Sequence, residues 1–146
     1  MVPTKFSIKT LGEYTPPLTS PLTTGGRIVT PAGELAQVVN GDVIKFLAYV
    51  EFKENIDAPR GNHYHELKEE MLYIIKGRVR AIYKDIDTNE TDDVVLKTGD
   101  LACVKPRCAH VFFPLEYTQA VEFSATTYDP TDTHKYQIDA AVAARA

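Results

Sequence analysis

The stretch RGNHYHELKEEMLYIIKG, from Arg60 to Gly77, decides how the rest of the chain is read. Two histidines stand one residue apart, a glutamate follows five residues after the second, and an apolar run then ends on a glycine. In an extended strand, side chains at i and i+2 share a face, so His63 and His65 point one way and Tyr64 the other. Glu70 opens the next strand after the turn ELKE and can face the same space. A third imidazole, His110, stands just past the turn KPRCA at the start of the apolar strand HVFFP. Three imidazoles and one carboxylate suit a borderline divalent cation such as zinc, iron, nickel, manganese or copper. Such a set leaves positions open for water or substrate. The fourth histidine, His134, lies in the polar tail DPTDTHKYQ and reads as solvated.

The surrounding sequence sets the scale. A chain of 146 residues, 44% apolar and 25% charged, reads as one globular domain spanning 1–146. The net charge is −4 with scattered lysines and arginines, which excludes a nucleic-acid footprint. No apolar run approaches the ~20 residues that cross a bilayer, and the first residues carry no signal-peptide core. A cytoplasmic protein with a small-molecule partner is the expectation. Cys103 and Cys108 are too few for a disulfide framework and read as reduced thiols.

Strand signals recur every 8–12 residues with turn residues between them. The segments are Lys5–Thr10, Asp42–Phe52, Asn62–His65, Met71–Ile75, Arg78–Tyr83, Asp93–Leu96, Leu101–Val104, His110–Pro114 and Ala120–Thr127. No long segment with a 3.6 period competes, so an all-β antiparallel sandwich or barrel is expected, its core about 42–128. Residues 1–41, with TPPLTSPLTTGG inside them, read as an extended arm because proline and glycine exclude regular helix there. Residues 129–146 read as a tail whose end, IDAAVAARA, is a short helix or disordered.

At this point the residues resemble a known family. His63-x-His65-x4-Glu70-x6-Gly77 looks like the first motif of the cupin superfamily, and Gly99-x5-Lys105-Pro106-Arg107-x2-His110 looks like the second. Arg107 stands where a glycine is usual, Lys105 where a first proline often stands, and Pro114 where an asparagine often stands. The resemblance implies a double-stranded β-helix, the jelly-roll barrel. It also implies His63, His65, Glu70 and His110 as ligands of one divalent metal ion, and a homodimer formed by sheet packing or exchange of N-terminal strands. RGNHYH and the ending FSATTYDPTDTHKY are similar to cupins of sugar and surface-polysaccharide biosynthesis, namely nucleotide-sugar epimerases, ketoisomerases and capsular-polysaccharide cupins. Several of those need no metal and use the same histidines as acid–base groups.

The expectation is therefore a small metal-dependent cupin enzyme. A Lewis-acidic ion would act on a carbonyl- or carboxylate-bearing substrate, serving isomerisation, epimerisation, elimination or, with iron, oxygen chemistry. Two alternatives stand beside it. One is a metal-free keto-sugar-nucleotide isomerase or epimerase with His65 or His110 as base and a tyrosine as acid; the other is a ligand-binding cupin without turnover. Tyr49, Tyr73, Glu122, Arg78 and Arg80 are strand residues read as candidates for the barrel mouth, with Tyr49 and Glu122 as acid–base groups and Tyr73 and Arg78 on the substrate. Arg60, directly before the motif, is placed to grip a carboxylate or phosphate. Cys108, two residues before His110, is a minor candidate for the site. Glu69 points away from it.

Overall fold

Leu72 and Ile74 point into the space between two sheets while Tyr73, between them, points out, and this alternation organises the molecule. The computed structural model describes residues 4–15, 26–54 and 59–140. Numbered along the chain, the first sheet takes β1 (Phe6–Thr10), β5 (Phe46–Phe52), β7 (Glu70–Lys76), β10 (Asp100–Val104) and β12 (Thr118–Ser124) in the order β1-β10-β7-β12-β5. The second takes β6 (Arg60–Tyr64), β8 (Arg78–Asp85), β9 (Thr91–Lys97), β11 (Cys108–Pro114) and β13 (His134–Lys135) in the order β13-β6-β11-β8-β9. Every pairing in both is antiparallel. Inward residues of both sheets, among them Val50, Phe52, Leu72, Ile74, Val79, Tyr83 and Phe112, form one core. Each such side chain contributes about 1.5–3 kcal/mol by leaving water.

Both outer faces are partly covered by segments that apolar periodicity does not announce. Leu11 and residues Val38 and Val39 cover Tyr73 and Phe123 on the first sheet. Tyr136 and Ile138 cover Ile82, Ala109 and Val111 on the second. The expected arm holds more order than an extended segment: β2 (Gly12–Tyr14), β3 (Gly26–Thr30) and β4 (Gly33–Ala36) make a small third sheet. The tail also joins the fold, through a 3-10 turn at Pro130–Asp132 and then β13 on the edge of β6. Residues 16–25 of the proline-rich stretch and 141–146 of the alanine-rich end lie outside the described residues. Among the described residues no helix is long and apolar enough to cross a membrane.

Arg107 explains how the second motif departs from the usual glycine. Its φ is +62°, the left-handed region that glycine enters freely. The arginine is held there by its own bonds. Its N–H donates to the His65 carbonyl at 2.7 Å, and its guanidinium bonds both Asp87 and Glu66. Arg107→Gly removes those ion pairs and relieves the backbone, two effects of opposite sign and similar size. Chemical denaturation should therefore place that variant within about 1 kcal/mol of wild type.

Candidate functional site

Strand β6 carries the first histidine through a bulge. His63 lies opposite His110 on β11, and Gly61 lies opposite Val111, so Asn62 is the extra residue. Gly61 and Asn62 have φ of +104° and +57°. A Cβ on Gly61 would sit 2.6 Å from the His110 carbonyl oxygen, so only glycine fits this approach. Asparagine tolerates the left-handed region, and here its Oδ1 accepts from Ile138 N–H while its carbonyl accepts from Tyr136 N–H. His65 follows just past the strand end, Glu70 begins β7, and His110 lies in β11.

These four side chains converge. One ligand atom from each of His63, His65, Glu70 and His110 lies within 4.8 Å of the others. His65 Nε2 is 3.3 Å and His110 Nε2 is 3.2 Å from Glu70 Oε2. The cluster lines a cavity of about 500 Å³ together with the apolar side chains of Val50, Phe52, Leu72 and Phe112.

The hydrogen bonds on the far sides of the rings fix what faces the centre. His65 Nδ1 donates to the Asp132 carbonyl at 2.7 Å, and His110 Nδ1 donates to the Cys108 carbonyl at 3.1 Å. A carbonyl only accepts, so both Nδ1 atoms carry the proton, and in the neutral rings both Nε2 atoms present lone pairs. His65 Nε2, His110 Nε2 and Glu70 Oε2 are all buried without a hydrogen-bond partner. Three acceptors facing one another repel unless a positive charge lies among them, supplied by protons or by a cation. This donor set fits a divalent metal ion.

Electrostatics agree with a charge-seeking centre. Burial, then the neighbouring His110, pushes His63 down to about 4, so it is a neutral base at pH 7. Burial opposes a proton on His65, but Glu70 and the Asp132 carbonyl outweigh it and raise that group. Burial likewise opposes the charge on Glu70, yet His110 and His65 hold its carboxyl well below the ordinary range. Glu122, facing inward from β12 beside Glu70, is pushed up to about 7 by burial and by Glu70.

The structure brings together six of the ten residues singled out as main candidates: His63, His65, Glu70, His110, Glu122 and, at the mouth, Arg60. It does not bring the other four; Arg80 bonds Asp93 and the Ala140 carbonyl away from the cavity lining. Tyr49 alternates with inward Val50, so it is 56% exposed on the outer face, where it bonds Gln119. Tyr73 is outward on β7 and lies beneath the arm. Arg78 precedes inward Val79 and pairs with Glu116 in solvent. Tyr49→Phe and Tyr73→Phe should each leave turnover within about twofold of wild type in a steady-state assay. Cys108 belongs to the core, with a thiol pushed up to about 12 by burial. Glu69 accepts from Cys103 outside the cavity, as its register predicts. His134, read as solvated, is half covered and stacks on Tyr64 at 5.2 Å.

Lys68 joins the site without having been expected there. It sits in the turn between His65 and Glu70, is 9% exposed, and bonds Glu122 at 2.8 Å across the cavity. A lysine in a polar turn carries no sequence signal for burial. Lys68→Met unpairs Glu122 and should lower turnover at least about tenfold, while Lys68→Arg recovers part of it.

No family model and no curated protein matches the sequence. Solved structures do match its fold. The mutant 3,4-ketoisomerase QdtA of Thermoanaerobacterium thermosaccharolyticum, in complex with TDP-4-keto-6-deoxyglucose, is 19% identical with a TM-score of 0.69, over 90% of this chain and 88% of that one. The TDP-quinovose 3,4-ketoisomerase WlaRB of Campylobacter jejuni is 17% identical with a TM-score of 0.70, over 90% and 93%. The capsular polysaccharide assembling protein CapF of Staphylococcus aureus is 16% identical with a TM-score of 0.58, over 77% of this chain and 32% of that one. The chain has the jelly roll that its two histidine motifs predict.

Proposed function

We propose, from the cupin jelly roll shared with these sugar isomerases, that the chain moves a proton beside the carbonyl of a nucleotide-linked keto sugar. The observation that carries this reading is the convergence of three imidazoles and Glu70 in one cavity, with the Lys68–Glu122 pair beside them. A ring nitrogen with a free lone pair takes the proton from the carbon next to the carbonyl. The C–H electron pair forms a C=C bond and the carbonyl π pair moves onto oxygen, giving an enediolate. For isomerisation that oxygen takes a proton, the neighbouring hydroxyl loses its proton as it becomes the new carbonyl, and a proton adds to the former carbonyl carbon. For epimerisation the proton returns to the same carbon on its other face. Lys68 donates to the developing oxyanion, and Glu122 stores a proton at neutral pH. Neither Tyr49 nor Tyr73 takes the acid role given to a tyrosine. Arg60 at the mouth is placed for the phosphates.

The lone-pair arrangement favours a second, compatible reading in which His63, His65, Glu70 and His110 hold one divalent ion. Such an ion, when bound, supplies a Lewis acid that polarises the carbonyl. Protons compete for the same nitrogens, so ion occupancy falls as pH drops, first through protonation of His65, whose affinity for a proton is raised, while His63 stays neutral until about pH 4. Elemental analysis of untagged protein, alongside turnover of TDP-4-keto-6-deoxyglucose with and without chelator, decides between the two. Chelator-sensitive activity tracking metal content supports the ion, and full activity in metal-free protein supports histidine acid–base chemistry alone. Absence of turnover in both states overturns the isomerase reading. A cytoplasmic homodimer completes the proposal, and size exclusion tests the dimer.

A further inference from the structure

The C-terminal segment, 64–67 residues away in sequence, contacts the first motif at His65 and along the turn that follows it. The Asp132 carboxylate is buried and accepts three successive backbone N–H groups: Glu66 at 2.8 Å, Leu67 at 3.2 Å and Lys68 at 3.1 Å. The same residue's carbonyl takes His65 Nδ1–H. Asp129 shapes the turn by capping Thr131 N–H at 2.9 Å. Side chain and main chain of one residue therefore fix both the loop and the ring that leaves it.

We infer that Asp132 is a positioning residue that holds His65 in its Nδ1–H form, so that Nε2 faces the cavity as a lone pair. Without the carboxylate, three backbone donors lose their acceptor, the turn at 66–68 loosens, and the Asp132 carbonyl no longer stays opposite His65. The ring is then free to take the Nε2–H form, which points a hydrogen at Glu70 and closes the nitrogen to a substrate proton or a metal ion. The consequence for turnover rests on the isomerase reading; the tautomer itself does not.

The test uses the full chain labelled with ¹⁵N-histidine, as wild type, Asp132→Ala and Asp132→Asn. Two-bond ¹H–¹⁵N spectra identify which ring nitrogen bears the proton. With spectra recorded at a pH well above the raised titration range of His65, so that the ring is neutral, wild type is expected to show His65 wholly in the Nδ1–H form, and each folded variant to show an Nε2–H population. A purely structural role for Asp132 would lower thermal stability and leave the tautomer alone. Should Asp132→Ala fail to fold, Asp132→Asn, which keeps one accepting oxygen, decides the question by the same spectrum. A folded variant with His65 still wholly Nδ1–H overturns the inference, as does wild type in the Nε2–H form. Turnover of TDP-4-keto-6-deoxyglucose should fall about tenfold or more in the variants with KM little changed. If wild type shows no turnover, the isomerase reading falls while the spectrum still decides the role of Asp132.

Discussion

His110→Ala should reduce turnover of a nucleotide-linked keto sugar by about two to four orders of magnitude, the range a positioned acid–base group supplies. His110 is 1% exposed, its Nδ1 is committed to the Cys108 carbonyl, and its Nε2 lies 3.2 Å from Glu70. Tyr83 and Phe112 pack beside the ring on its core side. Glu70→Gln removes the negative charge that both imidazoles approach and should cause a loss of the same order. Both variants should keep a cooperative unfolding transition, which separates lost chemistry from lost fold. If an ion is present, its content should drop with activity across His63→Ala, His65→Ala, Glu70→Gln and His110→Ala. Wild-type rates in His110→Ala and Glu70→Gln together would remove the cluster from the mechanism.

Gly77→Val should be the most destabilising change outside the cavity, lowering unfolding free energy by about 2–5 kcal/mol. Gly77 joins β7 to β8 with φ +109°, a conformation that a β-branched residue enters only under strain. Space is a second obstacle. A Cβ there would lie 2.6 Å from the Tyr117 carbonyl oxygen and 2.7 Å from Thr118 Cα, both main-chain atoms that cannot turn aside. Gly77→Ala meets the same contacts and should lose about half as much. Denaturant midpoints at unchanged slope measure both, and a Gly77→Val protein as stable as wild type would show that the turn relaxes elsewhere.

Much of the fold is legible in the sequence because it repeats one rule. Period-two alternation puts His63 and His65 on one face, and the same rule, applied to Val50, Leu72 and Val79, turns Tyr49, Tyr73 and Arg78 outward. Placing those three at the barrel mouth overlooks that their apolar neighbours take the inward positions. Other features leave no such trace. Lys68 is buried although it sits in a polar turn, and Asp132 acts through backbone N–H groups 64–66 residues away. Polar residues in loops look alike in sequence whether they face water or cap another segment. The β2–β4 sheet is short and its two outer strands are largely exposed, so burial imposes little hydrophobic pattern on it. Arg107 shows the reverse case, a residue that breaks a motif's usual glycine yet keeps the backbone conformation that glycine would have.

At the centre of the proposed function stands the removal of a proton from the carbon beside a keto sugar's carbonyl. Solvent exchange measures that step alone, without requiring the product to be known. The protein is incubated in D₂O with TDP-4-keto-6-deoxyglucose and the sugar's C–H signals are followed by ¹H NMR. The signal from a carbon next to the carbonyl is expected to disappear with wild type, far faster than in buffer, and to persist with His110→Ala. Retention of that signal with folded wild-type protein, in both its metal-loaded and its metal-free state, would contradict the proposed chemistry.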